Sequence, residues 1–424
     1  MGSKGRAMGR FSGFRLFKEG LTGNRGWSPH WRDAEPRSDY DIVIVGGGGH
    51  GLATAYHLAE TYGARRVALL EKGWIGGGNV GRNTTIVRAN YLLPSNQRFY
   101  DLSLRLWERM EQDLNYNVMM SQRGVLNLCH SDGQRDAFIR RGNAIRLSGA
   151  DAVFVTPQEM KKDWPFFDYE NARFPIKGGL LQPRGGTARH DAVAWGYARA
   201  ASDRGVDIIQ NCDVTGFDIQ RGRVRAVETT RGRIAANKVG VAVAGNTSRV
   251  MEMAGLRMPI ESHVLQAFVS EGLKPILPGV VTFGVGHFYV SQSDKGGLVY
   301  GGDLDGYNSY AQRGNLPMVE HVAAAGVSLM PMIARARMLR SWGGIMDMTM
   351  DGSPIIDRTP VDGLYLNGGW CYGGFKAIPG SGLVFAHLLA TDAPHPVATG
   401  LRLDRFRRGH MIDEGGRGPV PNLQ

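Results

Sequence analysis

Residues 40–73, YDIVIVGGGGHGLATAYHLAETYGARRVALLEKG, restrict the fold more tightly than any other part of the chain. The β-branched run at 42–45 lacks polar alternation, the pattern of a parallel strand buried on both faces. It enters Gly46-x-Gly48-x-x-Gly51, then a helical pattern from 52 to about 62, then a second apolar run at 66–70 that ends at Glu71 and Lys72. Strand, glycine turn, helix and strand in this order make a βαβ unit. Gly46 permits the tight turn, Gly48 lets a pyrophosphate approach the backbone, and Gly51 lets the helix pack on the strand, leaving phosphates at a helix N-terminus. Glu71 stands 20 residues after Gly51, where a carboxylate accepts hydrogen bonds from an adenosine ribose. An acid rather than an arginine there disfavours a 2'-phosphorylated nucleotide and leaves FAD and NAD.

The next segment separates those two. In GWIGGGNVGRNTTIVRANY the glycines Gly76, Gly77 and Gly78 bring the backbone close a second time, with Arg82, Asn83 and Thr84 following. A second approach suits a cofactor lying extended through the protein, which favours FAD. ANKVGVAVAGNTS (236–248) is a strand ending in a turn at Ala244 and Gly245, and DGLYLNGGWCYGGFKAIPGSG (362–382) contains Gly373, Gly374 and Lys376. Both read as later returns of the backbone to the same ligand. GVDIIQNCDVTGF (205–217) adds a strand that places Val214 against an adenine.

A chain of 424 residues is too long for one ordinary core, so a large α/β unit with a second domain is expected. Its 60 glycines are about twice what the usual ~7% would give, with no collagen-like period, which fits many close backbone approaches to a large ligand. Cys129, Cys212 and Cys371 are odd in number and scattered, which argues against a disulfide framework and a structural metal site and for a reducing cytoplasm. The sequence has no apolar run long enough to span a membrane and no secretory leader pattern at its start. The net charge of +11 admits an anionic partner, but without a nucleic-acid motif it reads as a field for carboxylate substrates and phosphate-bearing cofactors; neither nucleic acid nor membrane is expected as a partner.

Taken together, GGGGHGLATAYHLA, GGGNVGRNTTIVRANY, LNYNVMMSQRGVLNL, GTARHDAVAW, RSWGGIMDMTMDGSPII and GGWCYGGFKAIPGSG resemble the β-subunits of heterotetrameric sarcosine oxidases, within the glycine oxidase and D-amino-acid oxidase superfamily. The resemblance runs from about Phe14 to the C-terminus. It implies a discontinuous Rossmann-like FAD-binding domain at 38–120, 185–256 and 341–405, with an antiparallel-sheet substrate domain at 121–184 and 257–340. Residues 1–37 are expected as an arm against a partner subunit, because FRLF, Trp27 and Trp31 are too apolar for a free tail, and 406–424 as a C-terminal tail. It also implies noncovalent FAD, a second flavin, FMN, bound covalently to a histidine, and α, γ and δ partner subunits, the α-subunit binding folate.

The family's FMN-bearing histidine falls on His190, in the motif ARHDAVAW, where Ala192 replaces a second histidine that relatives often carry. Read from the residues alone, His190 and Asp191 at a helix start favour a polar cap, and the resemblance reverses that preference. The carboxylate-gripping cations of the wider family fall on Arg88 and Lys376. Arginine offers a bidentate fork and lysine a point charge, so the pair is expected to fix the substrate in the catalytic site. An oxygen-activating lysine of single-flavin relatives falls on Val299, which implies that electrons leave FAD for a second flavin. Cys371, near the position where those enzymes attach FAD, reads as a packing thiol. His263, His287 and Tyr289 lie on expected strands over the flavin and carry no assigned role. The implied reaction is oxidative demethylation of an N-methyl amino acid, with sarcosine first. An N-methylglutamate dehydrogenase subunit using another electron acceptor, or a non-catalytic flavin relay, are the alternatives.

Overall fold

The computed structural model describes residues 12–25 and 29–414; Trp27 and positions 415–424 of the expected tail lie outside the described residues. The glycine motif builds the unit that the sequence leads one to expect: strand Asp39–Val45, helix Gly49–Glu60 and strand Val67–Leu70. The helix begins three residues earlier than its apolar pattern, because Gly48 serves as N-cap and no side chain caps the first turn. The free N–H groups of that turn therefore stay available to a ligand. Gly51 could not be larger, since a Cβ there would lie 1.9 Å from the Gly46 carbonyl oxygen.

Around this unit five parallel strands form the centre of the first sheet, in the order Leu364–Gly368, Gly232–Val241, Asp39–Val45, Val67–Leu70 and Asp207–Ile209. Three strands that join the sheet late in the chain or beside it pair antiparallel: Ile355–Arg358 at the edge, and the hairpin Val214–Gln220 with Arg223–Thr229. Helix Gly49–Glu60 packs between helices His190–Asp203 and Gly374–Thr391 on one face, and the last of these also carries Pro94–Leu114. Leu52, Leu58, Phe99, Trp107 and Phe385 fill that helical layer. A separate cluster around Val43, Val239 and Leu364 covers the opposite face of the sheet.

The second sheet runs Met338–Thr349, Ile260–Gly272, Gly297–Leu304, Phe288–Gln292, Val280–Phe283, Val125–Cys129, Gly178–Gln182 and Val153–Val155. It is antiparallel except where Val280–Phe283 lies parallel to Val125–Cys129. The expected domain boundary at 341 falls inside Met338–Thr349, which pairs with Ile260–Gly272 from Met338 to Thr349, so residues 341–349 belong to the second sheet. From Ser341 to Thr349 the ladder is continuous, a register shift falling only beyond it between Val269 and Ser270, and the chain returns to the first sheet at Ile355.

At the N-terminal end, helix Gly13–Leu21 exposes Phe14, Leu16, Phe17 and Leu21. Among the described residues no helix is long and apolar enough to cross a membrane.

Candidate functional site

A cavity of about 1010 Å³ runs between the two sheets. Its floor at one end is the nucleotide motif. Gly46, Gly48, Glu71, Lys72, Gly77, Gly78, Arg82, Asn83, Thr84, Val214, Ala244, Gly245, Gly374, Arg88 and Lys376 all line it, gathered from four separate parts of the sequence. Gly51, Gly76, Gly373 and His190 do not, and each has a different place. Gly51 packs the helix on its strand; Gly76 takes a left-handed φ of 92° to turn the chain; Gly373 leaves room for the Tyr100 hydroxyl, which a Cβ would meet at 2.0 Å.

Glu71 accepts the Gly47 and Gly73 N–H groups on its two oxygens, both at 2.9 Å, which fixes the carboxylate at the cavity wall. Helices Gly49–Glu60 and Gly374–Thr391 lie side by side in the same direction, Gly49 against Ile378 and Ala53 against Gly382, and both N-terminal turns line the cavity, so their partial positive ends face one space. His50 ties them together. Its ring stacks on Trp370 at 4.6 Å and its Nδ1 meets the Ser381 hydroxyl, while burial drives its pKa down to about 3, so the imidazole is neutral. The buried amide of Asn367 donates nothing from Nδ2, although its Oδ1 accepts from Trp370 Nε1 at 2.8 Å. Since Asn367 lines the cavity, an acceptor on a bound molecule is the partner this donor lacks. Glycine-lined walls, two helix N-termini and an orphaned donor fit FAD.

The turn between the last parallel strand and helix Gly374–Thr391 sits over the cavity. Asp347, on the edge strand of the second sheet, accepts from Gly369 N at 2.6 Å and Trp370 N at 3.1 Å; burial raises its pKa to about 6 despite these bonds. Cys371, within the turn, accepts from Thr349 N at 3.3 Å, and burial pushes its thiol up to about 12. Such a thiol is no nucleophile near neutral pH, in keeping with a packing role.

Lys376 lies in the first turn of the helix that follows. Its Nζ donates to the Tyr372 carbonyl at 2.6 Å, and burial together with the nearby Arg88 charge holds its pKa well below the lysine range. Arg88 donates to Asn90 Oδ1 at 2.6 Å and lays its guanidinium over the Tyr91 ring at 4.8 Å. Neither cation pairs with a carboxylate among the described residues. Two cations held beside each other in a cavity, without an acid, are arranged for an anionic ligand.

Sequence reasoning did not reach His50, Asp347, Asn367, Tyr310 or Gln312, all of which line the cavity. Only Asp347 left a signal, as a lone acid in the apolar alternation of GGIMDMT. Tyr289 and His287 also line it, and the Tyr289 hydroxyl is buried without a hydrogen-bond partner. His263 is instead a satisfied core residue, bonded to the Asp305 carbonyl at 2.9 Å and to Glu261. Val299 is off the cavity: it sits across from Val269 and Ser291, whereas its strand meets the cavity three residues later, at Gly302. The expectation that Val299 stands at the flavin face is therefore corrected.

His190 opens helix His190–Asp203 and is half-buried; its pKa is lowered, by burial first and then by Arg189, with Asp191 acting against them. The capping alternative holds for Asp191 and not for the ring: Asp191 lies in the first turn and its Oδ1 accepts from Ala192 N at 2.8 Å, whereas the His190 ring makes no hydrogen bond among the described residues. Asp191 pairs with Arg189 at 2.8 Å. Helix His190–Asp203 packs against the turn Asn79–Arg82, and Asn79, Val80 and Arg82 of that turn line the cavity.

Residues 41–388 match the family model described as FAD dependent oxidoreductase. The sarcosine oxidase subunit beta of Rhizobium meliloti (strain 1021) is 68% identical over 98% of this chain and 100% of its own length. That of Rhodobacter capsulatus is 50% identical over 96% of this chain and 98% of its own. Among solved structures, L-proline dehydrogenase from P. horikoshii superposes with a TM-score of 0.82 at 26% identity, covering 89% of this chain and all of that one. The match to the family model, with 68% and 50% identity to these β-subunits over nearly the whole chain, places the chain in the FAD-dependent oxidoreductase family and, within it, among the sarcosine oxidase β-subunits.

Proposed function

We propose that this chain is the amine-oxidising β-subunit of a heterotetrameric sarcosine oxidase, acting on N-methyl amino acids with sarcosine as the preferred substrate. The observation that carries this reading is the pair of acid-free cations, Arg88 and Lys376, on the cavity wall. Arg88 presents its fork to the substrate carboxylate, and Lys376 adds a point charge from the helix opposite. With the carboxylate fixed, the N-methyl end is held at one position in the cavity. FAD, held noncovalently, supplies the acceptor for a hydride equivalent when bound. Noncovalent binding accords with a protonated Cys371.

His190 is proposed as the site of covalent FMN. A neutral imidazole without a hydrogen-bond partner has a free lone pair for such a bond, and its helix packs on the turn Asn79–Arg82, which lines the cavity. His190 would hold that second flavin, which would carry electrons from FAD to oxygen, and the imine product would hydrolyse or move to a folate-binding α-subunit. The α, γ and δ subunits complete the assembly, with the apolar face of helix Gly13–Leu21 as a contact surface. Three buried free cysteines agree with a cytoplasmic setting.

Two measurements test this. Mixing the assembled complex anaerobically with sarcosine is expected to bleach the flavin rapidly; rapid bleaching by N-methylglutamate alone would move the assignment to the dehydrogenase, and bleaching by neither to a relay subunit. Acid precipitation is expected to release FAD and retain FMN with the protein, on the peptide containing His190. Release of both flavins would sink the covalent link.

A further inference from the structure

The segment that carries Arg88 is neither helix nor strand. Residues 88–93 lie between the short strand Ile86–Val87 and helix Pro94–Leu114 without a ladder of their own. Side chains from elsewhere hold it. Gln182 Oε1 accepts from Ala89 N at 2.8 Å, and Arg141 Nη2 donates to the Asn90 carbonyl at 3.0 Å. The remaining holds come from the far end of the chain: Glu414 accepts from Leu92 N at 2.8 Å and from Leu93 N at 2.9 Å. The same carboxylate pairs with Arg141 at 3.4 Å.

Helix Pro94–Leu114 explains why a carboxylate belongs there. Its N-cap, Leu93, has no side chain to offer, and no side-chain cap bond is made within the segment. Glu414 supplies an anion to that helix start from outside. The chain two residues before it is anchored. Ile412 N donates to Asp351 Oδ2 at 3.0 Å, Ser353 Oγ donates to the Ile412 carbonyl at 2.6 Å, and Asp351 is bound on both oxygens by the buried Arg405.

A continuous path follows. Glu414 holds Arg141; Arg141 holds the backbone of Asn90; the Asn90 side chain holds the Arg88 guanidinium at 2.6 Å. Asn90, the middle of the path, is 2% exposed, while Arg141 and Glu414 are partly buried. Electrostatics run the same way. Arg141 is largely buried and close enough to Arg88 for the two charges to repel, and Glu414 is the carboxylate that offsets this.

We propose that Glu414 is a positioning residue for substrate carboxylate recognition: the C-terminal segment latches over the entry to helix Pro94–Leu114 and, through Arg141 and Asn90, holds Arg88 in its binding geometry. This rests on the reading of Arg88 as the carboxylate ligand. Glu414 touches no substrate; it acts by keeping the fork aimed.

The test uses the full assembled complex and anaerobic flavin reduction at varied sarcosine, which separates the apparent Kd from the limiting rate. Glu414→Ala is expected to raise the Kd about tenfold, as for a slightly misplaced clamp, with the limiting rate within about twofold of the parent. Glu414→Gln, which keeps one acceptor oxygen but no charge, is expected to fall between them, and it and Arg141→Met stand in if Glu414→Ala does not assemble. Arg88→Ala is the control. A parental sarcosine Kd in Glu414→Ala or Glu414→Gln, while Arg88→Ala weakens binding, overturns the latch and leaves the clamp standing. A parental Kd in Arg88→Ala overturns both.

Discussion

Lys376 is buried beside a guanidinium, and its Nζ has one carbonyl for a partner. Burial first, and then the Arg88 charge, disfavour its ammonium form. A carboxylate arriving between the two cations favours that form, so ligand binding takes up a proton at Lys376. The sign follows: affinity for a carboxylate falls as pH rises through the depressed pKa of the empty site. Titrating the flavin spectrum with acetate at several pH values is expected to show this decline in the parent and a flat profile in Lys376→Met. An affinity that climbs with pH would contradict it. Arg88→Ala removes the bidentate partner and is expected to lower kcat/KM for sarcosine by roughly 100-fold or more. At this scale the sequence named the two cations through resemblance, but their lack of an acidic partner was not legible, because pairing is a property of three-dimensional neighbours.

The helix Gly49–Glu60 was readable in sequence because its glycines, apolar period and flanking strands point to one arrangement. A tight contact accounts for one of those glycines. Gly51→Ala puts a methyl 1.9 Å from the Gly46 carbonyl oxygen, so this variant is expected to lose FAD on gel filtration or to fail to accumulate as folded protein. Full retention of the flavin would show that the turn can shift. Near the end of the same helix, His57 is buried and its pKa is lowered to about 4, by desolvation. The unfolded chain takes a proton there below its ordinary value near 6.5, whereas the folded chain resists until about 4. Stability contributed by neutral His57 is therefore complete above that ordinary value and lost as pH falls towards 4. His57→Gln is expected to flatten the fall in melting temperature over that window, by on the order of 2 kcal/mol in unfolding free energy. An unchanged slope would mean His57 gains a proton in the folded state. The element that escaped sequence reading was Met338–Thr349, whose glycines and tryptophan resemble a nucleotide-domain segment while its ladder partner is the long strand Ile260–Gly272, some seventy residues earlier in the chain.

Across the whole molecule, the exposed apolar face of helix Gly13–Leu21 stands apart from both cores. Phe14 is 75% exposed and Phe17 67%, more than an isolated surface residue needs to explain when Leu16 and Leu21 join them. Phe17→Glu is expected to leave the FAD spectrum and melting of the isolated chain unchanged while preventing co-purification with partner subunits. Normal assembly would place the interface elsewhere.

What the sequence determined by itself was local and periodic: the βαβ unit, the glycines and Glu71 around a dinucleotide, and, by resemblance, the cations Arg88 and Lys376 and the histidine His190. Tertiary structure decided the rest. It moved 341–349 into the second sheet, took Val299 off the cavity, gave the first-turn hydrogen bond to Asp191 rather than to the His190 ring, and brought Glu414 to the segment that carries Arg88. The physical reason is range. Turns, caps and helix periods act over a few residues and are written where they act, whereas hydrogen bonds between residues hundreds of positions apart form only after the chain has folded on itself.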